Sequence, residues 1–361
     1  MKRVSPRPLV ASHVIRTTPR QIGGGRSREA LVAQAQASIA RGSKSFAFAS
    51  MLFDKPTRER AHLLYAWCRR CDDIVDGQDH GGELKLDSSS TVDRVEAIRI
   101  LTHRALEGQP TADNEFDALG QVASESKLTR EMCDDVIDGF ALDAIGWRPR
   151  TEADLMRYCY HVAGSVGVMM AHVMGVPLDA NETFDRACDL GLAFQLNNIA
   201  RDISEDDAAG RCYLPEEWLA EMDIPPGQHM KPQYRKQLVK LTRRLVDLAS
   251  QHEAAARLGA GQLRFRQRWA VLAAANIYGA IGREVVRRGD AAWDRRVHTG
   301  LFNKIRHTTA AFKEAISGSF EPETMPEWTR GRLLVAARMA GPVADVPRTP
   351  IRDEDVRRKE D

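Results

Sequence analysis

Two stretches of the chain place a row of side-chain oxygens along a helical face that would otherwise belong to a core. Tyr65, Arg69, Asp72 and Asp76 recur at i, i+4, i+7 and i+11, and Gln195, Asn198, Asp202 and Asp206 at i, i+3, i+7 and i+11. Both spacings keep the side chains on one side of an α-helix. The second row sits among Leu190, Leu192, Phe194, Leu196 and Ile199. Amide and carboxylate groups buried there without partners would be costly. Asp72 and Asp76 stand one turn apart, about 5–6 Å between Cβ atoms, where like charges destabilise a helix. A counter-charge is therefore expected: a divalent cation is one candidate and Arg69 another. Facing each other, the rows would make a carboxylate-lined mouth whose hard oxygens suit Mg²⁺, an ion that keeps waters and bridges to substrate phosphates.

The rest of the sequence supplies the helices such rows need. Helical periodicity runs through residues 28–41, 57–76, 91–106, 129–144, 151–174, 182–203, 232–258 and 265–288, with Gly, Pro and Ser clusters between them. No stretch alternates as a half-buried strand does. The expected fold class is all-α, one domain over residues 29–335 with short connections between antiparallel helices. The glycines at 164, 167 and 191 fall inside helical patterns, where each costs about 1 kcal/mol relative to Ala. Close helix packing and room for a bulky apolar ligand both account for them.

Charge excludes one class of function. Lys plus Arg number 52 against 50 Asp plus Glu in 361 residues, a formal +2. That balance gives no reason to expect a nucleic-acid partner. The first 28 residues are the exception, with basic side chains from Lys2 to Arg28 and no acid. They read as a disordered basic arm suited to anionic lipid, with a transit peptide as the alternative. Residues 336–361, Pro-containing and charged, read as a disordered tail. No run reaches the roughly 18 apolar residues that cross a bilayer, so the expectation is a cytoplasmic protein, peripheral to the membrane. The six cysteines are scattered through helical patterns and read as reduced thiols; the Cys68/Cys71 pair has no second pair at zinc spacing.

A third acidic group tests the reading. Asp134, Asp135 and Asp138 repeat the spacing of Asp72, Asp73 and Asp76. Glu131 lies one turn upstream and no cation shares their face, so they read as a solvated acidic surface. After the second row comes Gly210-Arg211-Cys212-Tyr213-Leu214-Pro215, where Arg211 is placed to close over a phosphate.

In combination these segments resemble the head-to-head trans-isoprenyl synthases, the squalene and phytoene synthase family. The resemblance is carried by Ser43-Lys44-Ser45-Phe46, by Tyr65-Ala66-Trp67-Cys68-Arg69 leading into Asp72-Asp73-Ile74-Val75-Asp76, by Tyr158-Cys159-Tyr160-His161-Val162-Ala163-Gly164, and by Gln195-Leu196-Asn197-Asn198-Ile199-Ala200-Arg201-Asp202-Ile203 running on to Asp206 and the segment at 210–215. It covers nearly the whole chain outside the two tails. The basic arm and Phe53 after Leu52 depart from many relatives.

The resemblance implies a helical bundle around a deep apolar cavity, with Mg²⁺ or Mn²⁺ at its mouth on Asp72, Asp76, Asn198, Asp202 and Asp206. It implies diphosphate and substrate contacts from Ser43, Lys44, Ser45, Phe46, Gln195, Arg201, Arg211 and Tyr213, and catalytic roles for Tyr65, Arg69 and Tyr278, with a weaker match at Arg295. The implied reaction is the condensation of two geranylgeranyl diphosphates through a cyclopropyl diphosphate to phytoene, without NADPH. Condensation of two farnesyl diphosphates to squalene or dehydrosqualene is the alternative within the family. A catalytically silent membrane assembly factor is the alternative outside catalysis. A product so apolar implies transient contact with a membrane surface.

Overall fold

The computed structural model describes residues 20–79, 82–83, 91–318 and 325–340. The chain is all-α. Its only β structure among those residues is an antiparallel pairing of Gln78–Asp79 with Gly82–Glu83. The helices are α1 (Arg28–Gly42), α2 (Lys44–Ser50), α3 (Lys55–Val75), α4 (Thr91–Leu106), α5 (Asn114–Ser126), α6 (Arg130–Ala144), α7 (Glu152–Cys159), α8 (Ser165–Val173), α9 (Asn181–Ala208), α10 (Glu216–Glu221), α11 (Arg235–Ala260), α12 (Phe265–Arg288), α13 (Leu301–Ser317) and α14 (Arg330–Met339). None of the described helices is long and apolar enough to cross a membrane.

Local chemistry sets the helix starts. Asp54 caps α3, its carboxylate accepting from the Thr57 amide at 3.0 Å, with Pro56 in the first turn. Thr151 and Asp154 form a reciprocal capping box at α7. Ser43 caps α2 and so fixes the bend between α1 and α2.

Periodicity over residues 151–174 suggested one helix, and the chain instead passes through a π-helical turn at Tyr160–Gly164 between α7 and α8. The rows on α3 and α9 are those expected, but α5, α10, α13 and α14 were not read from the sequence. The basic arm is also shorter than expected. Residues 22–25 form a 3₁₀ turn, Arg26 pairs with buried Asp117 at 3.0 Å, and Arg28 pairs with Glu59 and Glu125. These carboxylates hold the arm's last arginines against α3 and α5. At the other end α14 carries the packed chain past residue 335 to Met339. Residues 1–19 and 341–361, to which disorder was assigned, lie outside the described residues.

Two apolar cores flank the long helix α9. One gathers α7, α10, α11 and the mouth end of α12 around Trp218, Leu196 and Leu245. The other gathers α1 and α3–α6 around Trp67, Phe116 and Leu119. The buried glycines are resolved in favour of close packing. A Cβ on Gly167 would lie 2.2 Å from the Ala187 carbonyl oxygen, and one on Gly191 would lie 2.1 Å from that of Ala163. The space left by the missing side chains is filled by the opposing helix backbone.

Candidate active site

Between the cores lies an apolar cavity of about 330 Å³. Its wall along α9 is one face of that helix: Thr183, Arg186, Leu190, Phe194, Gln195 and Asn198. α8 runs antiparallel to it, from Ala163 beside Gly191 to Met174 at the far end. Tyr65 and Cys68 on α3 and Tyr278 on α12 complete the near end, and Leu263 and Ala260 the far end. From Asn198 to Thr183 the helix rise gives a depth of about 22 Å.

The near end opens where the two oxygen rows meet. Arg211, just beyond α9, donates to Asp76 at the end of α3 at 2.8 Å, which ties the two acidic helices together. Arg69 reaches Asp72 at 3.2 Å and Asp73 at 2.6 Å. Asp202 is held by Arg201 and, in a two-pronged pair at 2.8 Å, by Arg296. Burial alone would raise the Asp202 pKa, but hydrogen bonds from these arginines hold it below the ordinary value. The other two carboxylates lack such neutralisation. Burial, and then the charge of Asp76, lifts Asp72 to about 6. Burial, and then Asp202, lifts Asp206 to about 7.

Two aromatic pairs stand just inside. Phe46 stacks on Tyr65 with centroids 5.5 Å apart, and Phe194 stacks on Tyr278 at 4.3 Å. Burial pushes the Tyr65 hydroxyl up to about 12 and raises that of Tyr278, which faces the Ser43 side chain. Both phenols keep their protons at neutral pH.

The structure thus brings Ser43, Phe46, Tyr65, Arg69, Asp72, Asp76, Gln195, Asn198, Arg201, Asp202, Asp206, Arg211 and Tyr278 to one end of one cavity. Other expectations change. Ser45 lies on α2 away from the cavity lining, and the Lys44 side chain lies outside the described residues. Tyr213 is not in the cavity wall. Its hydroxyl donates to Asp143 at 2.8 Å while its ring stacks on Tyr158, which donates to the same carboxylate at 3.0 Å. Arg295 is exposed, and its neighbour Arg296 is the one that reaches Asp202. Asp143 and Arg296 had no spacing to betray them; only the tertiary fold sets them beside the rows.

The donor set fits a hard divalent cation. Asn198 Oδ1 is buried and lacks a hydrogen-bond partner among the described residues. Asp72 and Asp206 are held near neutral by like charge and burial, a condition a cation would relieve. No three His, Cys, Asp or Glu side chains among the described residues close on one point, so a cation here would draw part of its shell from elsewhere, as Mg²⁺ does from substrate phosphates.

Comparison with known proteins converges on this arrangement. Residues 39–303 match the model of the squalene/phytoene synthase family. A phytoene synthase of Pseudescherichia vulneris is 44% identical over 287 residues, covering 79% of this chain and 92% of the relative. A 15-cis-phytoene synthase of Enterobacter agglomerans is 43% identical over 293 residues, covering 80% and 98%. Among solved structures, a dehydrosqualene synthase in complex with ligand superposes with a TM-score of 0.71 at 26% identity, over 80% of this chain and 98% of its own. A squalene synthase from Alicyclobacillus acidocaldarius shares the fold, with a TM-score of 0.63 at 20% identity over 74% of this chain and 98% of its own.

Proposed function

Because the chain belongs to the squalene/phytoene synthase family, we propose that it condenses two geranylgeranyl diphosphates head to head, through a cyclopropyl-bearing diphosphate, to phytoene, releasing two diphosphates. It is a prenyltransferase of carotenoid biosynthesis. The observation that carries the reading is the meeting of two acidic helices and their arginines at the mouth of a closed apolar cavity, in a chain whose relatives at 41–44% identity bear the name phytoene synthase. Cavity depth supports the longer substrate. At roughly 1.2 Å of reach per backbone bond, an extended C20 prenyl chain spans about 18 Å and a C15 chain about 13 Å. The α9 wall runs for about 22 Å.

Asp72, Asp76, Asn198, Asp202 and Asp206 are the residues that would hold Mg²⁺ or Mn²⁺. When bound, the metal supplies Lewis-acid neutralisation of the leaving diphosphate. The chain's own groups do the remainder. Arg69, Arg201, Arg211 and Arg296 now spend their donors on carboxylates; turned to diphosphate oxygens they make charge-assisted hydrogen bonds that favour departure of the anion. Ser43 and Gln195, at the near end of the wall, orient the head of the substrate. The faces of Tyr65 and Tyr278 attract the allylic cation through the ring quadrupole, and the stacked Phe46 and Phe194 hold those rings in place. The apolar wall excludes water that would quench the cation. Asp143, by gripping Tyr158 and Tyr213, fixes the segment that carries Arg211. No reductant enters this reaction, and none of the residues is assigned to NADPH.

Phytoene is a hydrocarbon with no affinity for water, so the enzyme works in transient contact with a membrane surface, on its cytoplasmic side. Incubation of the purified chain with C15 and C20 diphosphates and Mg²⁺, with and without NADPH, tests the proposal. Phytoene from the C20 substrate alone is the expected product. A hydrogenated C30 hydrocarbon from the C15 substrate would assign the chain to the other branch of the family.

A further inference from the structure

α13 is built inside out. Its small residues face the protein: Ala311 and Ala315 are buried against Leu272, Ala273 and Ala260, and Thr308 is buried beside them. Its large apolar residues face away. Leu301 is 66% exposed, Phe302 80% and Ile316 65%, with Ile305 and Phe312 also exposed. At 100° per residue these five fall within about one quadrant of the helix, on the side away from the alanines. Polar contacts lock that orientation. The indole of Trp269 donates to the Thr308 carbonyl at 2.9 Å, Arg268 donates to the Ala315 carbonyl at 3.2 Å, and Glu314 is held by Arg257 and Asn276. The outward face cannot roll in.

The neighbours extend the patch. Phe265 is exposed and meets Phe312 edge to face at 5.7 Å. Arg266 donates to the Leu52 and Phe53 carbonyls, which brings exposed Met51 alongside. Charge is one-sided: Arg306 and Lys313 border the stripe, whereas the helix's only acid, Glu314, is turned inward to Arg257. Large apolar side chains bordered by bases are the composition of a helix lying in a bilayer interface.

Position gives the face a purpose. Ala260 packs against Ala311 and Ala315 and also lines the apolar cavity, as does Val271, which packs on the same cluster. One layer of small side chains separates the cavity's far half from α13.

We propose that the outward face of α13, with Phe265 and Met51, seats the enzyme on an anionic lipid surface, against the half of the cavity that holds the prenyl tails. This rests on the reading that the product is a long hydrocarbon, which leaves by the lipid side while diphosphate leaves by the acidic mouth. The face acts as a landing site and touches no reacting atom.

The test is co-sedimentation of the full chain with vesicles of phosphatidylcholine and phosphatidylglycerol, alongside turnover of C20 diphosphate in detergent micelles. Replacing Phe302→Asp together with Ile305→Asp is expected to weaken vesicle binding about tenfold or more and leave micellar turnover within about twofold. Arg306→Glu with Lys313→Glu should weaken binding to anionic vesicles and leave binding to phosphatidylcholine alone unchanged, which separates charge from burial. Unchanged binding by the Asp pair overturns the proposal, as does loss of binding on removing residues 1–19 while the Asp pair still binds. A dimer on gel filtration that the Asp pair splits without loss of vesicle binding would assign the face to a second copy of the chain instead. If the wild type binds vesicles through this face but makes no phytoene in micelles, the docking surface stands and the substrate assignment falls.

Discussion

Asp72, Asp73 and Asp76 on α3 and Asp134, Asp135 and Asp138 on α6 share one spacing and have opposite circumstances. On α6 each carboxylate has a partner of its own. Arg99 of α4 reaches Asp134 at 3.0 Å and Asp138 at 2.8 Å, His103 adds a contact to Asp134, and Tyr160 donates to Asp135 at 2.6 Å. The expected solvated surface is in fact a set of half-buried ties between helices. The missing cation was one helix away, where a helical wheel of α6 cannot show it. On α3, by contrast, the arginines stand beside a surplus of charge. Asp72 is lifted to about 6, and across the mouth Asp206 is lifted to about 7. One triplet is satisfied by the fold; the other is left wanting a ligand.

The contrast can be broken by substitution. The largest effect belongs to the unsatisfied set. Asp72→Asn and Asp202→Asn are each expected to lower kcat by about a thousandfold or more, several kcal/mol of leaving-group stabilisation, measured as phytoene formed per enzyme. Asp72→Asn should leave the melting temperature unchanged or raised, because it removes a like-charge pair. Next comes Arg296→Ala, expected to reduce kcat/KM about ten- to a hundredfold with little loss of stability; an unchanged rate would return the role to Arg295. On the other triplet the signs reverse. Asp135→Asn should keep turnover within about twofold while costing about 1–2 kcal/mol in denaturant unfolding, through the half-buried bond to Tyr160. A loss of activity there comparable to Asp72→Asn would mean that the catalytic triplet is the wrong one.

The smallest effect is in pH. His62 is buried beside Ser50, with its Nε2 at 2.9 Å from the hydroxyl, and burial holds its pKa down at about 4. Its folded pKa lies below the unfolded value of about 6.5. The unfolded state therefore takes the proton first, and stability falls as pH drops from about 6.5 toward about 4. His62→Gln should flatten that part of the acid limb in urea titrations followed by circular dichroism. Neither triplet contributes to this limb in the same way, so it serves as a baseline against which their titrations are read.

The sequence revealed most where a single helix carries the information. The face of α3 and the face of α9 are legible because spacing alone puts their oxygens in line. α5 was missed although Asp113 caps it, because Gly120 interrupts its apolar pattern. That glycine lets the Ala105 carbonyl oxygen approach to where a Cβ would lie only 2.7 Å away. α13 was missed because its large apolar residues point outward and its small ones inward, the inverse of the pattern that marks a core helix. Asp143 and Arg296 were illegible for a different reason. Each acts on residues far away in sequence, and only the crossing of helices brings them there.

The π turn at Tyr160–Gly164 has a consequence for how this wall tolerates change. Five residues occupy a turn that normally takes about 3.6, so α7 and α8 are out of phase with each other by design. Tyr158 before the turn points to Asp143, and Val166, Met170 and Met174 after it point into the cavity. Deleting one residue from the turn would let the segment wind as an unbroken helix and would rotate everything beyond it by about 100°. Gly167 would then leave the Ala187 backbone, and side chains would arrive where none fits. Length in this segment is therefore more tightly constrained than residue identity, and insertions or deletions here should be far rarer among active variants than substitutions.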